Sequence, residues 1–147
     1  ARGRTLLMHY LDTSVLVAAL TNEPRTGDVQ SWLRDQPADQ LAISDWVVTE
    51  FSGAMSIKLR SGDFETLHRA DALAMFQSLC ETSLRVLPIE RDDFRTAAQL
   101  ANHYETGLRS GDALHLAIVS NHGMQVQSLD RGLVAAAHQL GVSARLI

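Results

Sequence analysis

Short apolar runs alternate along this chain with longer segments of helical periodicity, and that alternation is the strongest constraint on its fold. The runs Leu6–Leu11, Leu41–Ile43, Arg85–Ile89, Gln125–Leu129 and Ala144–Ile147 are too short for helices and read as strands. Between them the apolar spacing predicts helices over Ser14–Leu20, Gly27–Asp35, Trp46–Leu59, Phe64–Glu81, Asp92–Thr106, Ser110–His122 and Leu133–Leu140. Asn22-Glu23-Pro24, Gly107, Gly123 and Gly141 punctuate the pattern. Strands separated by helices cannot pair as hairpins. They pair in parallel through helical crossovers, which predicts an α/β layered domain with a mainly parallel sheet.

Four acids stand at the edges of these segments. Asp12 closes the first apolar run, and Asp130 follows the run Val126–Leu129. Asp112 opens the run Ala113–Val119, and Glu50 lies within Ile43–Phe51 among core-like neighbours. A buried carboxylate needs a partner. In parallel sheets, ligands gather beyond the carboxyl ends of the strands, where Asp12 and Asp130 are placed. If the four converge, a hard divalent cation is the natural partner and phosphodiester hydrolysis the natural chemistry. Each acid also has a plainer reading: Asp12 as a helix cap in competition with Thr13 and Ser14, Glu50 as a surface acid, Asp112 as a dipole partner behind a Ser110 cap, and Asp130 as a turn residue.

The formal net charge of −4 excludes nucleic-acid binding by bulk electrostatics, so such a role requires a local basic surface or a bound cation. Lys58, Arg60, Arg109 and Arg131 are near the acidic segments in sequence, although each also reads as a solvated helix-end charge. Aromatic residues make up only 5%, so the core must be mainly Leu, Ala, Val and Ile. The single cysteine, Cys80, cannot form an internal disulfide and reads as a reduced core thiol. No apolar run approaches a membrane span, and the expected setting is cytoplasmic. A chain of 147 residues suits one domain. Residues 1–7 read as a non-native or flexible extension, with Met8 as the natural start and 8–147 as the domain.

The segments Leu11-Asp12-Thr13-Ser14, Ser44–Phe51, Ser110–Ala117 and Ser128–Leu133 together resemble the PIN-domain family, and within it the VapC-type toxin ribonucleases of type II toxin–antitoxin pairs. Their order and spacing match from Met8 to Ile147. The resemblance implies a three-layer α/β/α domain with a five-stranded, mainly parallel sheet. It also implies an acidic pocket of Asp12, Glu50, Asp112 and Asp130 that holds Mg²⁺ or Mn²⁺ and hydrolyses RNA. Asp12 and Asp112 are the expected direct ligands, with Glu50 and Asp130 acting through water or at a second site. Thr13, Ser14 and Ser128 are expected to orient waters or carboxylates. Ser128 stands where the family often has Thr, which keeps the hydroxyl. His115, one turn beyond Asp112, is either a base or donor near the pocket or a satisfied or surface histidine. The implied partners are a cognate antitoxin, its tail covering the pocket, and a second copy in a homodimer.

Other readings remain open at this level. A phosphoacceptor receiver domain also carries acids at strand ends, but it needs an acidic pair near the first strand and a downstream lysine. Here Asp12 has no such neighbour, and the only lysine is Lys58. A nuclease acting on DNA or in RNA processing and a catalytically inactive PIN-like binding module are the further alternatives.

Overall fold

A computed structural model describes residues 7–147. The expected N-terminal extension, apart from Leu7, lies outside the described residues, as does the start of the first apolar run at Leu6. The observed order is β1 (His9–Leu11), α1 (Thr13–Leu20), α2 (Thr26–Arg34), β2 (Leu41–Ser44), α3 (Asp45–Arg60), α4 (Thr66–Thr82), β3 (Arg85–Leu87), α5 (Arg91–Ala101), a 3₁₀ turn (Tyr104–Thr106), α6 (Ser110–His122), β4 (Gln125–Ser128), α7 (Arg131–Gln139) and β5 (Ala144–Leu146).

The strands form one sheet in the order β3-β2-β1-β4-β5, and every neighbouring pair is parallel. Tyr10 is in register with Ala42 on one side and Val126 on the other. The chain moves outward from β1 through β2 to β3, then returns to β4 and moves outward the other way. Right-handed crossovers therefore put α1–α4 on one face and α5–α7 on the other. The connections leaving β1 and β4 diverge to opposite faces, which opens a crevice at their carboxyl ends.

The core is aliphatic, as composition requires: Val15, Leu16, Ile43, Leu116, Ile118 and Val126 are fully buried or nearly so. Phe51 of α3 stacks on Phe76 of α4, with ring centroids 4.3 Å apart. Every residue of α6 from Ala113 to Val119 is buried. A helix that is apolar all round has no solvent face and sits in the interior. Its first turn is therefore held firmly at the edge of the sheet.

Several expected boundaries shift for physical reasons. The helix foreseen over Asp92–Thr106 is two elements. α5 ends at Ala101, the chain breaks at Asn102-His103, and the 3₁₀ turn closes on Gly107 at φ +69°. Asparagine weakens a helix by competing for backbone hydrogen bonds, and Gly107 supplies the left-handed turn. The helix foreseen from Phe64 begins at Thr66, because Glu65 and His68 form a reciprocal capping box. β3 stops at Leu87 because Pro88 has no N–H to donate. The cap of α1 is Asp12 rather than Thr13 or Ser14, and that of α6 is Arg109 rather than Ser110. Cys80 is half-buried, and burial together with Glu81 pushes its thiol above the usual range.

Candidate acidic site at the carboxyl edge of the sheet

Asp12 is the residue immediately after β1 and is buried. Its extended backbone makes it the cap of α1, and Oδ1 accepts from the Val15 N–H at 3.4 Å. Two hydroxyls complete its surroundings: Ser14 Oγ donates to Oδ1 and Ser128 Oγ to Oδ2, each at 2.5 Å. Both hydroxyls also accept backbone N–H groups from the β4–α7 connection, Ser14 from Leu129 at 3.1 Å and Ser128 from Asp130 at 2.9 Å. One carboxylate thus ties the end of β1 to the end of β4. Burial raises the Asp12 carboxyl above the ordinary range, and the hydroxyls of Ser128 and Ser14, His115 and the Val15 N–H only partly oppose it.

Glu50 lies in the second turn of α3. Its Oε1 accepts from Thr13 Oγ1 at 2.7 Å and pairs with His115 Nε2 at 2.5 Å. Burial by itself would raise this carboxyl, but the hydrogen bond and charge of His115, together with Thr13, bring it below the usual range. His115 is 2% exposed, and its Nδ1 is 2.7 Å from Tyr10 Oη.

Asp112 occupies the first turn of α6, where free N–H groups favour a carboxylate. Its carboxyl is nevertheless raised, first by burial and then by Asp130, Glu50 and Asp12, with His115 alone opposing. The charges of the other three acids reach Asp112 from this edge of the sheet. Asp112 takes no side-chain hydrogen bond or ion pair among the described residues. It is the least compensated carboxylate of the four. Asp130 combines two expected readings. It is exposed and caps α7, Oδ1 accepting from Gly132 and Leu133 at 2.9 and 3.2 Å, and with Asp112 and Arg109 it lines an open cleft of about 260 Å³.

α6 meets α3 through a glycine. A Cβ at Gly111 would lie 3.3 Å from Trp46 Cζ2 and 3.4 Å from Glu50 Oε2. The Trp46 indole N–H is buried beside it without an acceptor among the described residues. Tyr10 and Gly111 escape a reading that searches for charged residues. Tyr10 did carry a signal, a hydroxyl in an aliphatic run two residues before an acid, because a buried Tyr hydroxyl needs a partner.

The cations sort differently. Arg109 lines the acidic cleft, but Lys58 pairs with Glu23 at 2.9 Å near the other end of α3, away from the four acids. Among the described residues no three His, Cys, Asp or Glu side chains stand close enough to hold one metal ion directly. The edge is therefore a group of hard oxygen donors tied to hydroxyls, an imidazole and helix N-termini, with Asp112 left over.

Comparison with known proteins agrees with this architecture. No curated protein matches the sequence. Among solved structures, the chain is similar to VapC20 of Mycobacterium tuberculosis, a sarcin-ricin loop cleaving toxin, at 21% identity and TM-score 0.71, covering 87% of this chain and 94% of that one. It is similar to FitAcB from Neisseria gonorrhoeae at 21% identity and TM-score 0.69, covering 93% and 96%. It is also similar to the DNA-bound VapBC of Salmonella typhimurium at 17% identity and TM-score 0.69, covering 96% and 98%. At these identities the likeness is one of fold. The PIN domain family model matches residues 9–139, which include all four acids, and the chain belongs to the PIN domain family.

Proposed function

We infer that this chain is a metal-dependent endoribonuclease of the VapC toxin type, with Asp12, Glu50, Asp112 and Asp130 as its site. The observation that carries the reading is Asp112: a half-buried carboxylate with no side-chain bond among the described residues, raised first by burial and then by three other acids at the same edge. Such a charge excess is relieved by a cation. The donor set suits Mg²⁺ or Mn²⁺, which favour carboxylate oxygen. The lack of three directly converging ligands suits an ion that keeps several waters and needs one or two direct carboxylates.

Asp12 and Asp112 would hold the ion directly, and Glu50 and Asp130 would hold its waters. A bound divalent cation supplies a water that is nucleophilic near neutral pH and charge to offset the phosphate. The protein's own part is orientation. Ser14 and Ser128 fix both oxygens of Asp12, while Thr13 and His115 fix Oε1 of Glu50. Arg109 lines the same cleft and can meet a phosphate of the incoming RNA strand.

The structural neighbours include toxin–antitoxin assemblies, two of them VapBC complexes bound to DNA, which supports an antitoxin as the partner of this chain. An antitoxin tail over the pocket would bring an arginine to the carboxylates. A homodimer in a cytoplasmic setting completes the reading. No helix of the described residues is long and apolar enough to cross a membrane.

The test is cleavage of total cellular RNA with and without Mg²⁺ or Mn²⁺, comparing wild type with Asp12→Ala and Asp112→Ala. Metal-dependent cleavage by wild type alone is expected. Equal cleavage by all three proteins would remove the site from the reading. The alternative of an inactive binding module predicts no cleavage and no specific divalent site by calorimetry, and the complete set of acids argues against it.

A further inference from the structure

We propose that His115 and Tyr10 are positioning residues for Glu50, linked in a closed hydrogen-bond circuit that starts and ends on α3. The proposal rests on the acidic-site reading above and goes beyond it to residues that touch neither metal nor RNA.

Taken with a neutral imidazole, donor and acceptor chemistry gives the circuit a self-consistent direction. The Glu50 carboxylate only accepts, so His115 Nε2 donates to it at 2.5 Å. Nδ1 of the neutral ring is then an acceptor, and Tyr10 Oη donates to it at 2.7 Å. Tyr10 Oη in turn accepts from Ser44 Oγ at 2.8 Å. Ser44 Oγ accepts from the Trp46 backbone N–H at 3.2 Å, which is its role as the cap of α3. The chain of donors leaves the first turn of α3, crosses to β1, passes into α6 and returns to the second turn of α3.

Three side chains of the circuit are sealed from water: Tyr10 and Ser44 are fully buried, and His115 is nearly so. Burial pushes the Tyr10 hydroxyl well above its ordinary pKa, so it stays protonated and able to donate. Satisfied buried networks rigidify what they contain. A circuit confined to α3 would only stiffen that helix. This one passes through β1 two residues before Asp12 and through α6 one turn beyond Asp112. It therefore fixes the Glu50 carboxylate relative to the two elements that present the other acids. Thr13 Oγ1 reaches the same Glu50 oxygen from the start of α1, which leaves Oε2 as the oxygen turned toward Gly111 and the α6 terminus.

The experiment uses the full chain, with Mn²⁺ alone as the calorimetric probe, RNA cleavage as the second readout and melting temperature as the folding control. His115→Leu removes both ring contacts, Tyr10→Phe removes only the donor to Nδ1, and His115→Gln keeps a donor at the position of Nε2. His115→Leu is expected to weaken Mn²⁺ binding by about 10–100-fold, the usual cost of losing a group that orients a ligand. Tyr10→Phe should weaken it less, and His115→Gln should restore most of the affinity, with losses of cleavage appearing in kcat rather than KM. If His115→Leu does not fold, the contrast between Tyr10→Phe and His115→Gln carries the same test. Wild-type Mn²⁺ affinity in a folded His115→Leu, or in both milder variants, overturns the positioning role. Asp12→Asn is the control. If it loses Mn²⁺ binding while the His115 variants keep it, positioning fails and the acidic site stands. If wild type binds no Mn²⁺, the site reading itself fails.

Discussion

Ser128 Oγ at the end of β4 donates to Asp12 Oδ2 at the end of β1, across the point where the chain leaves the sheet toward opposite faces. This bond spans the crevice in which a parallel α/β sheet presents its ligand site. Ser128→Ala leaves one Asp12 oxygen and the Asp130 N–H without their partner. Removing one partner of a buried charge-assisted bond costs about 1–3 kcal/mol. Ser128→Thr should keep the bond and the stability, and urea melts of the two variants would separate hydroxyl from volume.

Asp130 has two duties, and two substitutions divide them. Asp130→Asn keeps an oxygen for the Gly132 and Leu133 N–H groups but removes the charge; Asp130→Ala removes both. Alanine should cost about 1 kcal/mol through the lost cap, and asparagine should melt close to wild type. If Asp130 serves the site, both variants lose cleavage. Wild-type cleavage by a folded Asp130→Asn would leave the residue as a cap alone.

Asp112 is raised first by burial and then by three acids, and among the described residues it takes no side-chain bond in return. In chelator, Asp112→Asn should therefore melt higher than wild type by a few degrees. Added Mn²⁺ should stabilise wild type and not the variant, because a ligand that binds only the folded state raises its stability. Paired thermal melts with and without Mn²⁺ read both effects.

The contact of Gly111 with Trp46 and Glu50 limits what can stand there. An alanine Cβ needs shifts of only a few tenths of an ångström, and alanine also favours the helix. A valine would drive α6 from α3, at a cost of about 1–3 kcal/mol. Gly111→Val is expected to lose cleavage more than Gly111→Ala does, and chemical denaturation gives the matching stabilities.

On the opposite face of β1, burial and then the charge of Arg145 lower the His9 pKa, and its Nδ1 accepts from Gln127 Nε2 at 3.0 Å. A histidine pKa lowered on folding means that the unfolded chain takes the proton more readily. The stability held by neutral His9 is present above its ordinary value of 6.5 and is lost as pH falls through the lowered folded value. Arg145→Gln should raise the His9 pKa in an NMR titration without returning it fully, because burial, the larger cause, remains.

Much of the fold and the positions of the acids were legible because they follow from local signals. Leu41–Ile43 is short and apolar, Val126–Leu129 is short with apolar ends, and both are bounded by cap or turn residues, so strands alternating with helices imply a parallel sheet. Asp12 follows β1 directly, Asp130 is two residues beyond β4, and Asp112 opens a run in which only His115 is polar. What stayed hidden depends on contacts between distant residues or on competition between neighbours. His115 meets Tyr10 across 105 positions, and no spacing announces it. Asp12, Thr13 and Ser14 could each cap α1. The winner is decided by Ser14 turning its hydroxyl to Asp12 and by Thr13 turning to Glu50. The break at Asn102-His103 stayed hidden because α5 and the 3₁₀ turn carry one continuous helical pattern, which a single asparagine does not visibly interrupt.

The most direct measurement is Mn²⁺-dependent RNA cleavage by wild type, Asp12→Asn and Asp112→Asn, each first shown to be folded by its melting temperature. Cleavage by wild type that chelator abolishes, with both near-isosteric variants inactive, is the expected result. Metal-independent cleavage by wild type, or undiminished cleavage by the folded variants, would contradict a metal-dependent site built on these acids.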